Sequence, residues 1–421
     1  MTGDRPPSLR LYEAAMAAAS PLAGPILAGR ALRGKEDPAR LGERLGRASR
    51  PRPGGPLVWM HGASVGEGLS LLPLVSHFRH VRPDASVLVT TGTRASAELL
   101  GERLPQGAFH QYAPVDTPGA VARFIGHWRP TVGVIVESEL WPNLILAARA
   151  SGASLALVSA RMSDESLRTW RRAPSAASAI MGAFDLTLAR DEAAATRFRA
   201  LGARVDGMAD MKLGAPPLPV DGCELAALRT AFADRPVILA ASTHPGEEAL
   251  ILRRFGAVAP AARLIIAPRH IGRGVEVDRL ARAEGFSVAR RASGEAPGET
   301  RVYVADTLGD LGLWYRLAGL AVLGGSLAPG VGGHNPLEAA RLGCPFVAGP
   351  HVENWPVYAD LEQRGATRLI SADDAWDEIF RQAVADPAPL QAMAAQAREW
   401  VEAHDTHNRA AMTRLVALLP A

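Results

Sequence analysis

A chain of 421 residues with 48% hydrophobic and 21% charged side chains carries enough apolar material for two buried cores and excludes an intrinsically disordered protein. The net charge of +3 is carried almost wholly by arginine, and no basic run interleaved with aromatics occurs. A mild positive balance suits phosphates or an acidic membrane surface, with nucleic acid excluded as the least suited partner.

Residues 14–29 read AAMAAASPLAGPILAG, sixteen residues without a charge, followed by Arg30, Arg33 and Lys35. A membrane-spanning helix needs roughly 20 strongly apolar residues, and this stretch is shorter, alanine-rich and interrupted by Pro21 and Pro25. Asp4 and Glu13 precede it, so it lacks the charged start of a signal peptide. Residues 1–45 are expected to form a helical segment that lies on an anionic membrane surface. A surface helix packed on the domain is the alternative.

From Pro56 onward strand and helix patterns alternate. Leu57–Met60, Ser86–Thr90, Val132–Val136 and Ser154–Val158 are short apolar runs, as expected for parallel strands covered on both faces. Helical stretches such as Gly68–Arg79, Ser96–Leu104 and Gly119–Trp128 lie between them. The segment LGAPPLPVDG, residues 213–222, holds three prolines and two glycines and cannot continue a helix. The alternation then restarts with Pro236–Ala240, Arg263–Ala267, Arg301–Val304, Leu320–Leu323 and Pro345–Val347, and ends in a helical stretch from Pro389 to Leu418. The expected architecture is α/β, with two doubly wound Rossmann-like domains facing across a cleft. An N-terminal domain would cover 46–212, a linker 213–222, and a second domain 223–421, whose last helix could reach back to the first. Cys223 and Cys344 form no CxxC pair, so neither a zinc ribbon nor a disulfide framework is expected.

Chemistry-bearing residues gather where strands end. The first strand runs into His61-Gly62-Ala63-Ser64-Val65-Gly66-Glu67-Gly68. Its glycines allow a tight turn, and Glu67 stands at a helix start, where a carboxylate also complements the helix dipole without further function. The spacing is not GxGxxG, which speaks against a nicotinamide dinucleotide site. After Val132–Val136 come Glu137 and Glu139, with Trp141 and Pro142 beside them. In the second half, Ser242-Thr243-His244-Pro245-Gly246-Glu247-Glu248 follows a strand, and free amides at such a helix start make an anion site. Arg269 and His270 follow the next strand, and a guanidinium there can pair with phosphate. Gly324-Gly325-Ser326 and Gly332-Gly333-His334-Asn335-Pro336-Leu337-Glu338 form a glycine-rich region whose amides are expected to meet phosphate oxygens, with Glu338 placed to accept from ribose hydroxyls.

Together with Thr90–Thr93, Ala160–Ser163 and the block from Asp306 to Trp355, these motifs resemble the Kdo (3-deoxy-D-manno-octulosonic acid) transferase family, membrane-associated enzymes of the GT-B fold. The resemblance covers nearly the whole chain. It implies inverting transfer of Kdo from CMP-Kdo to a lipid A precursor at the cytoplasmic face of the inner membrane, with no cofactor and no required metal. It implies Glu67 as the general base, with Glu139 and nearby Glu137 at the sugar's reaction centre. Ser64, Gly66 and Arg161 would join Glu137 in binding substrate. Lys212, Arg269, His270, Ser242 and Thr243 would face the CMP phosphate, with Gly333, His334, Asn335 and Glu338 around the nucleoside. The chain departs from the family at Ser159, where asparagine is usual, and at Ala209-Asp210-Met211, where a Gly-Asn pair usually precedes the lysine. The alternatives are a UDP-sugar transferase or epimerase of the same fold and a non-catalytic lipid-A-binding relative.

Overall fold

The computed structural model describes residues 5–214, 217–232, 235–371 and 373–420. It contains two compact units, Met1–Ala215 with His404–Ala421, and Pro216–Ala403. Each is built on one parallel sheet.

The first unit carries β1 (Leu57–His61), β2 (Ser86–Thr91), β3 (Ala108–Tyr112), β4 (Val132–Val136), β5 (Ser154–Ala160), β6 (Leu186–Ala189) and β7 (Gly207–Met208). Their order is β3-β2-β1-β4-β5-β6-β7. Apolar runs without alternation fit this sheet because both faces are covered. Leu57 and Trp59 of β1 join Phe124 and Trp128 in one core. Val58 and Met60 join Leu71, Leu74 and Phe78 in the other. Each fully buried side chain of this size contributes about 1.5–3 kcal/mol. Ala411, Leu415 and Leu419 enter that second core, so the end of the C-terminal helix Ala388–Val416 completes the unit that the start of the chain forms.

The N-terminal helix runs from Pro7 to Leu32, straight through Pro21 and Pro25. The segment is helical, as expected, and tolerates both prolines, which are exposed, so the carbonyls deprived of their N–H partners can meet solvent. Buried Leu9 and Leu27 and the Tyr12 hydroxyl, which donates to Asp116 at 2.9 Å, fix the helix to its unit. Leu11, Leu22, Ile26 and Leu32 remain exposed. Among the described residues no helix is long and apolar enough to cross a membrane.

The second unit carries β8 (Val237–Thr243), β9 (Arg263–Pro268), β10 (Val288–Arg290), β11 (Val302–Val304), β12 (Leu320–Leu323), β13 (Phe346–Ala348) and β14 (Arg368–Leu369). Their order is β10-β11-β9-β8-β12-β13-β14, again all parallel. In both units the strand order reverses beside the first strand, between β1 and β4 and between β8 and β12. Open α/β sheets bind ligands at such a reversal, outside the carboxyl ends of the strands. The motifs of interest leave the sheets at these two places.

Candidate active site

In the first unit, β1 turns at Gly62 into the helix Val65–Val81. The turn is tight: a Cβ on Gly62 would stand 2.9 Å from the Glu67 Cβ and 3.0 Å from Val136. Ser64 caps the helix by accepting from the Glu67 N–H at 3.3 Å. The Glu67 carboxylate reaches back to accept from the Ala63 N–H at 2.6 Å and the Ser64 N–H at 3.4 Å, closing a capping box. Both bonds end on Oε2. Gly66 lies exposed on the same turn, with open space where a Cβ would stand.

Across the reversal, β4 is followed by Glu137, buried and in the left-handed region at φ 59°. A non-glycine residue there costs about 1–3 kcal/mol, and the fold holds it through a bond from the Glu137 N–H to the Val158 carbonyl at 3.0 Å. The Arg161 guanidinium, half exposed, stands 3.5 Å from the Glu137 carboxylate. Glu139 accepts from the Trp141 indole N–H at 2.7 Å. Burial raises its proton affinity first, and the charges of Glu67 and Glu137 raise it further against the Trp141 bond. Glu67, Glu137 and Glu139 therefore form one electrostatic cluster at the β1/β4 reversal. His61, at the end of β1, is 2% exposed, and its Nε2 lies 3.9 Å from Glu139 Oε2.

The two family departures also meet in this unit. Ser159, at φ 52°, accepts from the Met211 N–H at 2.9 Å. Asp210 is tied through its backbone to Asn408, accepting at 2.8 Å and donating at 3.1 Å. The side chain of Lys212 lies outside the described residues.

In the second unit, β8 is bulged between Ala241 and Thr243, with Ser242 at φ 56°. Gly324, after β12, passes so close that a Cβ would stand 2.6 Å from the Ser242 carbonyl oxygen. The expectation of free amides in these two loops is corrected here. The buried Glu247 carboxylate accepts from the N–H groups of His244 (2.8 Å), Gly325 (2.8 Å), Ser326 (3.1 Å) and Leu327 (2.9 Å). The Gly333 N–H donates to the Gly325 carbonyl at 2.8 Å, and the Thr243 hydroxyl donates to Glu248 at 2.8 Å. The anion on these amides is the protein's own, and it pins the loop after β12 to the loop after β8.

Beside these occupied amides stand several polar side chains. Arg269 and His270 stand exposed after β9. The His244 and His334 rings stack, with their Nε2 atoms 2.9 Å apart. Burial, then His244, Arg269 and His270 beside it, push His334 down to about 4. Asn335 caps the next helix by accepting from the Leu337 N–H at 3.0 Å and directs its amide at Glu338, 3.4 Å away. Burial raises Glu338, while the Asn335 bond and the Arg269 charge oppose the rise. Arg269, His270, His334, Asn335 and Glu338 thus lie on one rim. Sequence reasoning missed Glu247 and His244 as site builders. Their signal was the run His244-Pro245-Gly246-Glu247, read as a ligand's amide nest rather than as a nest with its own carboxylate. No group of His, Cys, Asp and Glu among the described residues is arranged to hold a metal ion.

The profile of the 3-Deoxy-D-manno-octulosonic-acid transferase (kdotransferase) family matches residues 39–215. The chain is 38% identical over 356 residues to a probable mitochondrial 3-deoxy-D-manno-octulosonic acid transferase of Arabidopsis thaliana, covering 82% of this chain and 80% of that one. It is 35% identical over 391 residues to the 3-deoxy-D-manno-octulosonic acid transferase of Bordetella pertussis, covering 90% of each. A solved UDP-GlcNAc 2-epimerase from Neisseria meningitidis is similar in fold alone, with a TM-score of 0.54 and 13% identity over 86% of this chain and 100% of that one. Identity of this extent spans both sheets and both rims, and the chain belongs to the 3-deoxy-D-manno-octulosonic acid transferase family, glycosyltransferases of the two-lobed GT-B type.

Proposed function

We propose that this enzyme moves Kdo from CMP-Kdo to a hydroxyl of a lipid A precursor, with inversion at the anomeric carbon, in lipopolysaccharide core synthesis. The observation that carries the reading is the carboxylate cluster at the β1/β4 reversal, in a chain of this family. Glu67 is held by two amides through Oε2, an arrangement that fixes its geometry and keeps Oε1 clear of both bonds. In its ionised form it takes the acceptor hydroxyl proton as the new glycosidic bond forms. The bond from the anomeric carbon to the CMP phosphate breaks in the same displacement, and the electron pair leaves with CMP. Glu139 and Glu137 bind at the sugar, with Arg161, Ser64 and Gly66 lining the same rim. Arg269 and His270, with Ser242 and Lys212, face the departing phosphate, where positive charge lowers the barrier electrostatically, while buried Thr243 stands behind them with its hydroxyl on Glu248. Glu338 accepts from the ribose hydroxyls, and Gly333, His334 and Asn335 shape the nucleoside pocket.

The N-terminal helix serves the acceptor's location. Leu11, Leu22, Ile26 and Leu32 are exposed on a helix otherwise fixed to its unit, and Arg30, Arg33 and Lys35 close it. Such a face suits shallow insertion into an anionic membrane surface, here the cytoplasmic side of the inner membrane.

The test is a reaction of purified protein with CMP-Kdo and a lipid A precursor, read by product mass. A mass gain of whole Kdo units is expected. No gain with CMP-Kdo, and turnover with a UDP-sugar instead, would overturn the reading.

A further inference from the structure

His61 has no assigned part in the reading above, yet its surroundings are specific. Its Nδ1 lies 3.2 Å from the Thr90 carbonyl oxygen and 3.0 Å from the Thr90 hydroxyl. A carbonyl oxygen can only accept, so the ring proton belongs on Nδ1. Nε2 is then a lone pair, buried and without a hydrogen-bond partner. A buried acceptor left unpaired costs about 1–3 kcal/mol, so its persistence calls for a donor. The polar atom it faces is Glu139 Oε2 at 3.9 Å, about 1 Å beyond a hydrogen bond. Glu139 is a fifth exposed, and the same Oε2 accepts from the Trp141 indole N–H at 2.7 Å.

We infer that His61 is a positioning residue that acts through Glu139: its Nε2 accepts the proton of the Glu139 carboxyl group, and the two hold one proton between them. The groups around the pair agree. Burial first, and the negative charges of Glu67 and Glu137 after it, oppose the ionisation of Glu139, against the bond from the Trp141 N–H. Arg161 sits by Glu137 rather than by Glu139. On the His61 side, burial first and the charge of Arg44 second push the ring down to about 4, against the Thr90 bond, so an imidazolium–carboxylate pair is disfavoured. In the neutral pair the one carboxyl proton is held by His61 Nε2, so Glu139 meets the sugar as an uncharged acceptor beside Glu67 and Glu137, where a third full charge would repel an acidic sugar.

The inference rests on Glu139 serving the reaction, and the experiment separates the two. Protein labelled with 15N in histidine is followed by long-range proton–nitrogen spectra from pH 8 to pH 5. His61 is assigned by its absence in His61→Asn or, should that buried variant not fold, by cross-relaxation from the stacked Trp59 ring. The expected ring is neutral with its proton on Nδ1, and its Nε2 signal moves as Glu139 titrates. That movement is absent in Glu139→Gln. A proton on Nε2, an imidazolium at pH 7, or an Nε2 signal that stays fixed in the wild type overturns the pairing. In the folded His61→Asn protein, kcat is expected to fall by up to about 100-fold with a smaller change in KM, and the limb of its pH profile that reports Glu139 moves to lower pH. Normal transfer by Glu139→Gln would remove the catalytic reading of Glu139 while leaving the spectroscopic test of the pair intact.

Discussion

The two units share one plan and carry opposite chemistry. Each has a seven-stranded parallel sheet whose order reverses beside its first strand, and each sends its first strand into a tight turn and a helix. In the first unit the turn after β1 and the end of β4 bring together Glu67, Glu137 and Glu139. In the second, the ends of β8, β9 and β12 bring together Arg269, His244, His270 and His334, and the carboxylate on the same turn, Glu247, faces inward onto amides. The topology thus supplies a place, and the residues set into it supply the chemistry, carboxylates in the first and one guanidinium among imidazoles in the second. Glu67 and Glu247 make the contrast sharp. Both accept backbone N–H bonds at the start of a helix, but Glu67 is partly exposed whereas Glu247 is 3% exposed and bridges to a loop 78–80 positions away.

The comparison breaks first at Glu67. Glu67→Gln keeps an oxygen for the capping bonds but cannot take a proton, so transfer is expected to fall by roughly 10²–10⁴-fold while the melting temperature and CMP affinity hold. An equal loss of stability and rate would instead make Glu67 a cap alone. Next in size is Glu247→Ala, which leaves four amides without their acceptor. Chemical denaturation should show the second unit weakened by at least about 3 kcal/mol, with CMP binding lost alongside and the first unit unchanged. Arg269→Ala should weaken CMP by about 1.5–3 kcal/mol, the worth of a hydrogen bond to a charged group, with no change in melting; calorimetry that finds equal affinity removes its phosphate role.

The smallest effect concerns acid. His110 is pushed down to about 3 by burial first and by Arg40 second, with the Arg40 guanidinium 3.1 Å from its Nδ1. The unfolded ring, near its ordinary value of about 6.5, binds a proton that the folded ring refuses. Its contribution to stability is therefore complete above about pH 6.5 and declines as pH falls toward 3. His110→Asn, which lacks this titration, should lie below wild type at neutral pH, and the gap should narrow with acid. A gap that stays constant would show that His110 is not held neutral.

Much of this was legible in residue order. The strand pattern places β1, β4, β8, β9 and β12 nearly to their ends, because apolar runs buried on both faces write themselves without alternation. Edge strands such as β3, with the mixed sequence AFHQY, and the two-residue β7 and β14 leave too weak a pattern to read. The motifs at strand ends were equally plain, since glycines and charged residues interrupt apolar runs. What those residues touch was not. Of the amides expected to be free, those of His244, Gly325, Ser326 and Leu327 proved to be held by Glu247, because a nest of N–H groups looks the same in sequence whether a ligand or a carboxylate fills it.

The sequence by itself therefore determined the two α/β units, their buried faces and the positions at which chemistry leaves each sheet. These follow from short-range periodicity and the steric rules of glycine and proline. The tertiary structure alone decided that Glu247 answers Gly325, that His244 meets His334 and that His61 faces Glu139. Each of these contacts joins residues far apart in the chain, and strand order and crossover, not local preference, set their distance.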